Sequence, residues 1–224
     1  TPTQLASLTT AQTPKLTSDQ VKALTLAQVS ALETADLALM SDAQLQSFTT
    51  KQIAALTSNQ VSNLSASQVV AFTTDQLAGL STSAVTALTT LTLSGLGTDD
   101  LSAFTSKQIK ALTSTQVAGL REYQLQAIGT DDISAISTDV MASMTTDQFR
   151  QLTSAQISAM NTVQIRAITT AQIASLQTDQ IAGLGTADIA TFTTAQAKAL
   201  TEDHIQIMST SQIVSLTTAS IAAL

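Results

Sequence analysis

Large aliphatic or phenylalanine side chains stand at every position divisible by eight, from Leu8 and Leu16 through Phe48, Ile128 and Met208 to Leu224, with no insertion or deletion between them. A second apolar position lies three residues before all of these but Leu16, which has Thr13 there, as Val61 lies before Leu64 and Ile173 before Leu176. The chain is therefore 28 copies of one octad over 224 residues. An unbroken short period is the signature of an array in which each unit leans on its neighbours.

Two apolar residues three apart fall on one side of a helical turn. One long helix is excluded, because eight residues advance about 800° at 3.6 per turn and the apolar stripe would drift by roughly 80° per copy. A β-solenoid is the competing architecture, since β-branched residues recur at position five. Strand alternation would turn position eight outward, yet that position is never polar. The expectation is an all-α solenoid or superhelix of very short helices, one per octad, over residues 1–224, with 1–16 as irregular or terminal repeats because Pro2 and Pro14 fall there.

The polar positions supply the start signals. Position one is Thr or Ser in 21 copies, position two in 22, and position four is Gln in 19 and Asp in four. Thr three residues before Gln matches a capping box with position one as N-cap. A second register is preferred at this stage. Gly replaces position one in Gly97-Thr98-Asp99-Asp100, Gly129-Thr130-Asp131-Asp132 and Gly185-Thr186-Ala187-Asp188, which suggests position one as the left-handed residue ending a helix and position two as the N-cap. Glu33, Arg121 and Gln177 at position one argue the same way. A small residue at position seven is expected to let a neighbouring segment approach. Positions three and six are expected outside, Tyr123 among them.

Composition narrows the function classes. A net charge of −7 with nine scattered basic residues argues against nucleic acid, which needs clustered Lys and Arg. Lys107, Lys110 and Arg121 read as a solvated face. No cysteine is present, so neither disulfides nor thiolate metal sites arise. No stretch has the length of a membrane span, and the first residues lack the character of a signal peptide. Starting at octad position one and stopping at position eight, the chain reads as a window on a longer array.

No catalytic, cofactor-binding or metal residues are expected, and the chain is not expected to be an enzyme. The Asp pairs of the Gly-Thr-Asp-Asp copies suit the first turn of a helix better than calcium. His204, the single histidine, replaces a recurrent Gln and reads as a cap or surface residue. Rows of Thr hydroxyls raise an ice-binding array as a lesser reading, provided that they stay free of capping.

The octad, as in Leu152-Thr153-Ser154-Ala155-Gln156-Ile157 or Leu216-Thr217-Thr218-Ala219-Ser220-Ile221, resembles the Leu-Thr-Thr-x-Gln-Ile-x-Ala repeats of large, low-complexity bacterial secreted and surface proteins of adhesin-like type. That resemblance implies an extracellular or cell-surface rod, stalk or self-assembling filament. Its partners would be further copies, end to end, with an unspecified carbohydrate or protein ligand on its surface as the binding-module alternative.

Overall fold

A computed structural model describes all residues, 1–224. The chain is all-α, with 27 α-helices from Pro2–Ala6 to Thr218–Ile221 and one 3₁₀ turn at Thr13–Lys15. Each octad contributes one of these elements, so the expected helix-per-octad solenoid is what forms and the β-solenoid is not. Residues 1–119 and 120–224 make two compact units. The octad numbering runs through both.

Within an octad the geometry is constant. Position one is extended, as at Thr57 with φ −77° and ψ 158°. The helix starts at position two and runs to position five, six or seven in the octads that form an α-helix, and position eight returns to extended backbone, as at Leu112 with φ −61° and ψ 135°. No residue, glycine included, has positive φ. Helices therefore end by straightening over two residues and not through a left-handed cap.

This overturns the preferred register. Position one is the N-cap: the Thr57 hydroxyl accepts from the Gln60 backbone N–H at 3.2 Å, while the Gln60 side-chain oxygen accepts from Thr57 N–H at 2.8 Å. Gly97, Gly129 and Gly185 are N-caps too, with φ between −58° and −77°. The physical reason is that the side chain at position four reaches back to the N–H of position one. That bond needs nothing from the position-one side chain, so Gly97, Arg121 and Gln177 are tolerated there.

Helices of five residues cannot persist alone; packing supplies their stability. In the first unit the helix Ser58–Ser62 lies against Thr82–Ala87, and Thr50–Ala54 against Thr74–Gly79. In the second, Ser154–Ser158 lies against Thr178–Gly183. Each pairing joins octads three apart, whereas glutamine bonds described below join octads four apart. A turn of the winding thus holds between three and four octads.

The burial pattern follows. Position-five residues such as Ile53, Val61, Ile157 and Ile165, and position-eight residues such as Leu56, Leu64, Met160 and Ile168, are buried. Positions one to three face outward, and Tyr123 is exposed as expected. Position seven is the close-approach point. A Cβ on Gly79 would stand 3.1 Å from the Thr50 carbonyl oxygen, and one on Gly183 would stand 2.9 Å from the Ser158 hydroxyl.

The second octad departs from the rest. Pro14 removes an N–H that an α-turn would use, and residues 13–15 tighten to 3₁₀ geometry. Thr13 at position five is fully buried, its hydroxyl directed to the Thr9 carbonyl at 3.4 Å.

Leu112→Asp is expected to cost several kcal/mol, because it buries a charge without a partner, while Asn59→Ser on the exposed side stays within about 0.5 kcal/mol. Chemical denaturation followed by circular dichroism checks both; similar losses would contradict the assigned faces.

Candidate functional site

The recurrent chemistry of the chain is the amide at position four. In the octad 57–64 the Gln60 side chain is buried and all its strong valences are directed. Its oxygen takes the Thr57 N–H, and its Nε2 donates to the Val29 carbonyl at 2.9 Å and the Leu32 carbonyl at 2.8 Å. Those carbonyls belong to positions five and eight of the octad four copies earlier. One amide therefore starts its own helix and finishes another, one turn away.

The same fork repeats. In the first unit Gln76 donates to Leu45 and Phe48, and Gln108 to Leu77 and Leu80. In the second unit Gln164 donates to Ile133 and Ile136, and Gln196 to Ile165 and Ile168. The acceptors explain the selection of Gln. The position-eight carbonyl lies on extended backbone, where no helical N–H reaches it, and a buried acceptor left alone costs about 1–3 kcal/mol.

A second set of bonds joins some octads three apart. Side chains at position six donate to position-seven carbonyls three octads ahead: Ser30 to Ala55 at 2.9 Å, Gln46 to Ala71 at 2.9 Å and Ser158 to Gly183 at 2.7 Å. These are scattered copies, not a continuous ladder.

Capping at position four was legible in the sequence; the long-range donation and the burial were not. The missed signal is the absence of Glu. A capping box accepts Glu or Gln alike, yet Glu never occupies position four in 28 octads. A carboxylate can accept the cap N–H but has no hydrogen to donate onward, whereas the carboxamide of Gln does both.

The exceptions obey the same logic. All four Asp residues at position four, Asp36, Asp100, Asp132 and Asp188, occur where position one is Glu or Gly. Asp100 and Asp188 accept the N–H of Gly97 and Gly185 at 2.9 and 3.2 Å. A Cβ on Gly129 or Gly185 would stand only 3.1 Å from the carboxylate. At Gly97 and Gly185 the shorter acid thus takes over the cap where the absent position-one side chain makes room, whereas the helix that begins at Glu33 has no side-chain cap. In this way the Asp100 and Asp188 carboxylates are used on backbone N–H groups.

His204 is the nearest imitation of Gln. Its ring is buried, Nδ1 accepts the Thr201 N–H at 3.3 Å, and Nε2 lies 2.8 Å from the Leu176 carbonyl. It borders a cleft of about 460 Å³ lined also by Asp147, Arg150 and Asp203. Lys107, Lys110 and Arg121 are exposed. The Arg121 guanidinium contacts the Tyr123 hydroxyl at 3.5 Å, and the three do not form a common site in either unit. Thr hydroxyls at position one are taken by caps, as at Thr49, Thr73 and Thr153; an outward hydroxyl row would fall to position two.

The octad with its cap and fork is the unit of a known repeat. The profile of the ALTTAQ repeat matches residues 29–66, 93–127, 125–162 and 157–186, more than half of the chain. The chain belongs to the ALTTAQ repeat family. No curated protein matches it.

Two predictions test the fork. Gln60→Glu keeps the cap but turns a carboxylate toward the Val29 and Leu32 carbonyls, and should destabilise more than Gln60→Ala, which loses about 1–3 kcal/mol; a Gln60→Glu variant as stable as the wild type in urea unfolding would mean that Nε2 contributes nothing. For the exceptions, Gly185→Thr combined with Asp188→Gln should exceed the sum of the single changes, with a coupling of about 0.5–3 kcal/mol in a double-mutant cycle.

Proposed function

We propose that this chain is a structural repeat protein that works outside the cell as a rod, stalk or self-assembling filament, without catalytic activity. The observation that carries the reading is the destination of its polar groups. Buried amides at Gln52, Gln60, Gln76, Gln108, Gln156, Gln164, Gln172 and Gln196 all donate to the chain's own backbone. Chemistry on a substrate needs polar groups that converge on a cleft and stay free of the backbone. Here the recurring groups hold one turn to another.

Equivalence of the octads also favours self-association. Successive turns repeat one backbone and apolar pattern, so a second copy would present the same arrangement that neighbouring turns of one chain present to each other. The surface has few charges to oppose contact, since charged residues make up 11% of the chain. The extracellular placement and the adhesin-like setting rest on the octad's resemblance to repeats of bacterial surface proteins.

The alternative is an adhesion module. It draws on Leu91 and Val163, which are 72% and 66% exposed at the variable position three, where a ligand would meet side chains that differ from copy to copy.

Negative-stain electron microscopy of the purified chain is expected to show filaments that lengthen with protein concentration. Single particles of constant length at all concentrations would remove the filament reading, and retention on a glycan or matrix-protein array would favour the adhesion module.

A further inference from the structure

Two faces of the array carry only half of the fork. Within the chain an amide at position four reaches carbonyls 28 and 31 residues before it, as Gln44 reaches Leu16 and Thr13. Gln4, Gln12, Gln20 and Gln28 accept from the backbone nitrogens of Thr1, Thr9, Thr17 and Thr25, but within residues 1–224 no carbonyl stands at those distances before them. Their Nε2 groups are donors without a protein acceptor. On the other face, Gln212 is the last amide of the series and serves Ile181 and Leu184. The position-eight carbonyls of Leu200, Met208 and Leu216 have no amide 28 residues after them within residues 1–224 and are acceptors without a donor.

The apolar stripe surfaces on the same two faces. Position-eight side chains are buried from Leu32 through Phe192, whereas Leu8, Leu16, Leu24 and Leu200 are half-buried. Ile207, Val214, Ile221 and Leu224 are exposed, four of the ten large hydrophobic residues that are, so the exposed apolar groups gather on this face. The helix Glu202–Ile207 packs on Thr178–Gly183, three octads before it. On its other flank Leu200, Ile205 and Leu224 line an open cavity of about 340 Å³.

We propose that these two faces are partners: residues 1–28 of one copy dock head to tail on residues 197–224 of a second copy, in the octad register. The incoming Gln4 then donates to the carbonyls of Ala197 and Leu200, Gln12 to those of Ile205 and Met208, and Gln20 to those of Ile213 and Leu216, the spacing that every fork inside the chain uses. The helix Pro2–Ala6 of the incoming copy lies on Glu202–Ile207, with Leu5 and Leu8 turned to the cavity beside Leu200, Ile205 and Leu224. Polarity follows from hydrogen-bond chemistry. Two N-terminal faces would set donor against donor, and two C-terminal faces acceptor against acceptor. A head-to-tail contact that does not close on itself propagates as an open filament. The pairing rests on the self-association proposed above, to which it adds a direction and a register.

Two double variants test it. Gln20→Glu with Gln28→Glu keeps both caps, because a carboxylate accepts the Thr17 and Thr25 N–H groups, but removes the onward donors, on which no bond inside the chain depends. Val214→Arg with Ile221→Arg places charge on two side chains that are already exposed. Sedimentation velocity is expected to show the wild type associating with concentration and each variant associating about tenfold more weakly or less, with unchanged circular dichroism. An equimolar mixture of the two variants should form dimers and stop there, since each contributes its intact face. Ala27→Glu, a charge at the outward position three, should associate as the wild type does; a loss equal to that of Gln20→Glu with Gln28→Glu would overturn the pairing. Either double variant assembling like the wild type, or pairing strongly with itself, would also overturn it while leaving the filament reading in place. A wild type that stays monomeric at every concentration would remove both.

Discussion

The structure depends on a recurrent buried carboxamide at octad position four that accepts on one side and donates on the other. Its oxygen fixes the first N–H of a helix, as Gln60 does for Thr57, and its nitrogen spans to the carbonyls of Val29 and Leu32. The first bond satisfies an N–H at the start of the helix, beside the one that the position-one hydroxyl takes. Without the second, the extended residue between helices keeps a buried carbonyl that water cannot serve.

An eight-residue unit is short of internal partners. In the octad 57–64 the N–H groups of Val61, Asn63 and Leu64 reach backbone carbonyls of the same octad, Gln60 N–H goes to the Thr57 hydroxyl, and Thr57 N–H goes to the Gln60 side chain. The exposed side carries positions two and three. What a longer helix would settle internally is here settled between turns, so hydrogen bonding and apolar burial at positions five and eight act on the same contacts. This coupling explains why losses are handled locally: Asp with Gly at position one keeps the cap, His204 keeps the cap and one carbonyl, and Ala84 and Val140 keep only the packing, with the Ser81 and Ser137 hydroxyls still capping from position one.

Much of this was legible along the chain. The buried stripe at positions five and eight, the small position seven and the helix in each octad could be read from spacing alone. The N-cap register was misread, because Gly97, Gly129 and Gly185 looked like left-handed helix ends. They adopt negative φ, and the cap at Gly97 and Gly185 comes from the side chain at position four. The preference for Gln over Glu was visible, but its meaning was not, since a capping box alone makes no distinction between them.

The sequence by itself determined the unit: its length, its apolar face and its helix start, because each of these arises from residues within eight positions of one another. Only the tertiary structure decided how units meet. Whether a turn holds three octads or four depends on which distant carbonyls lie within reach of an amide, and that distance is set by the joint packing of many copies. The winding between three and four octads, with bonds at both intervals, is the arrangement in which the buried stripe closes and the orphaned position-eight carbonyl finds its donor.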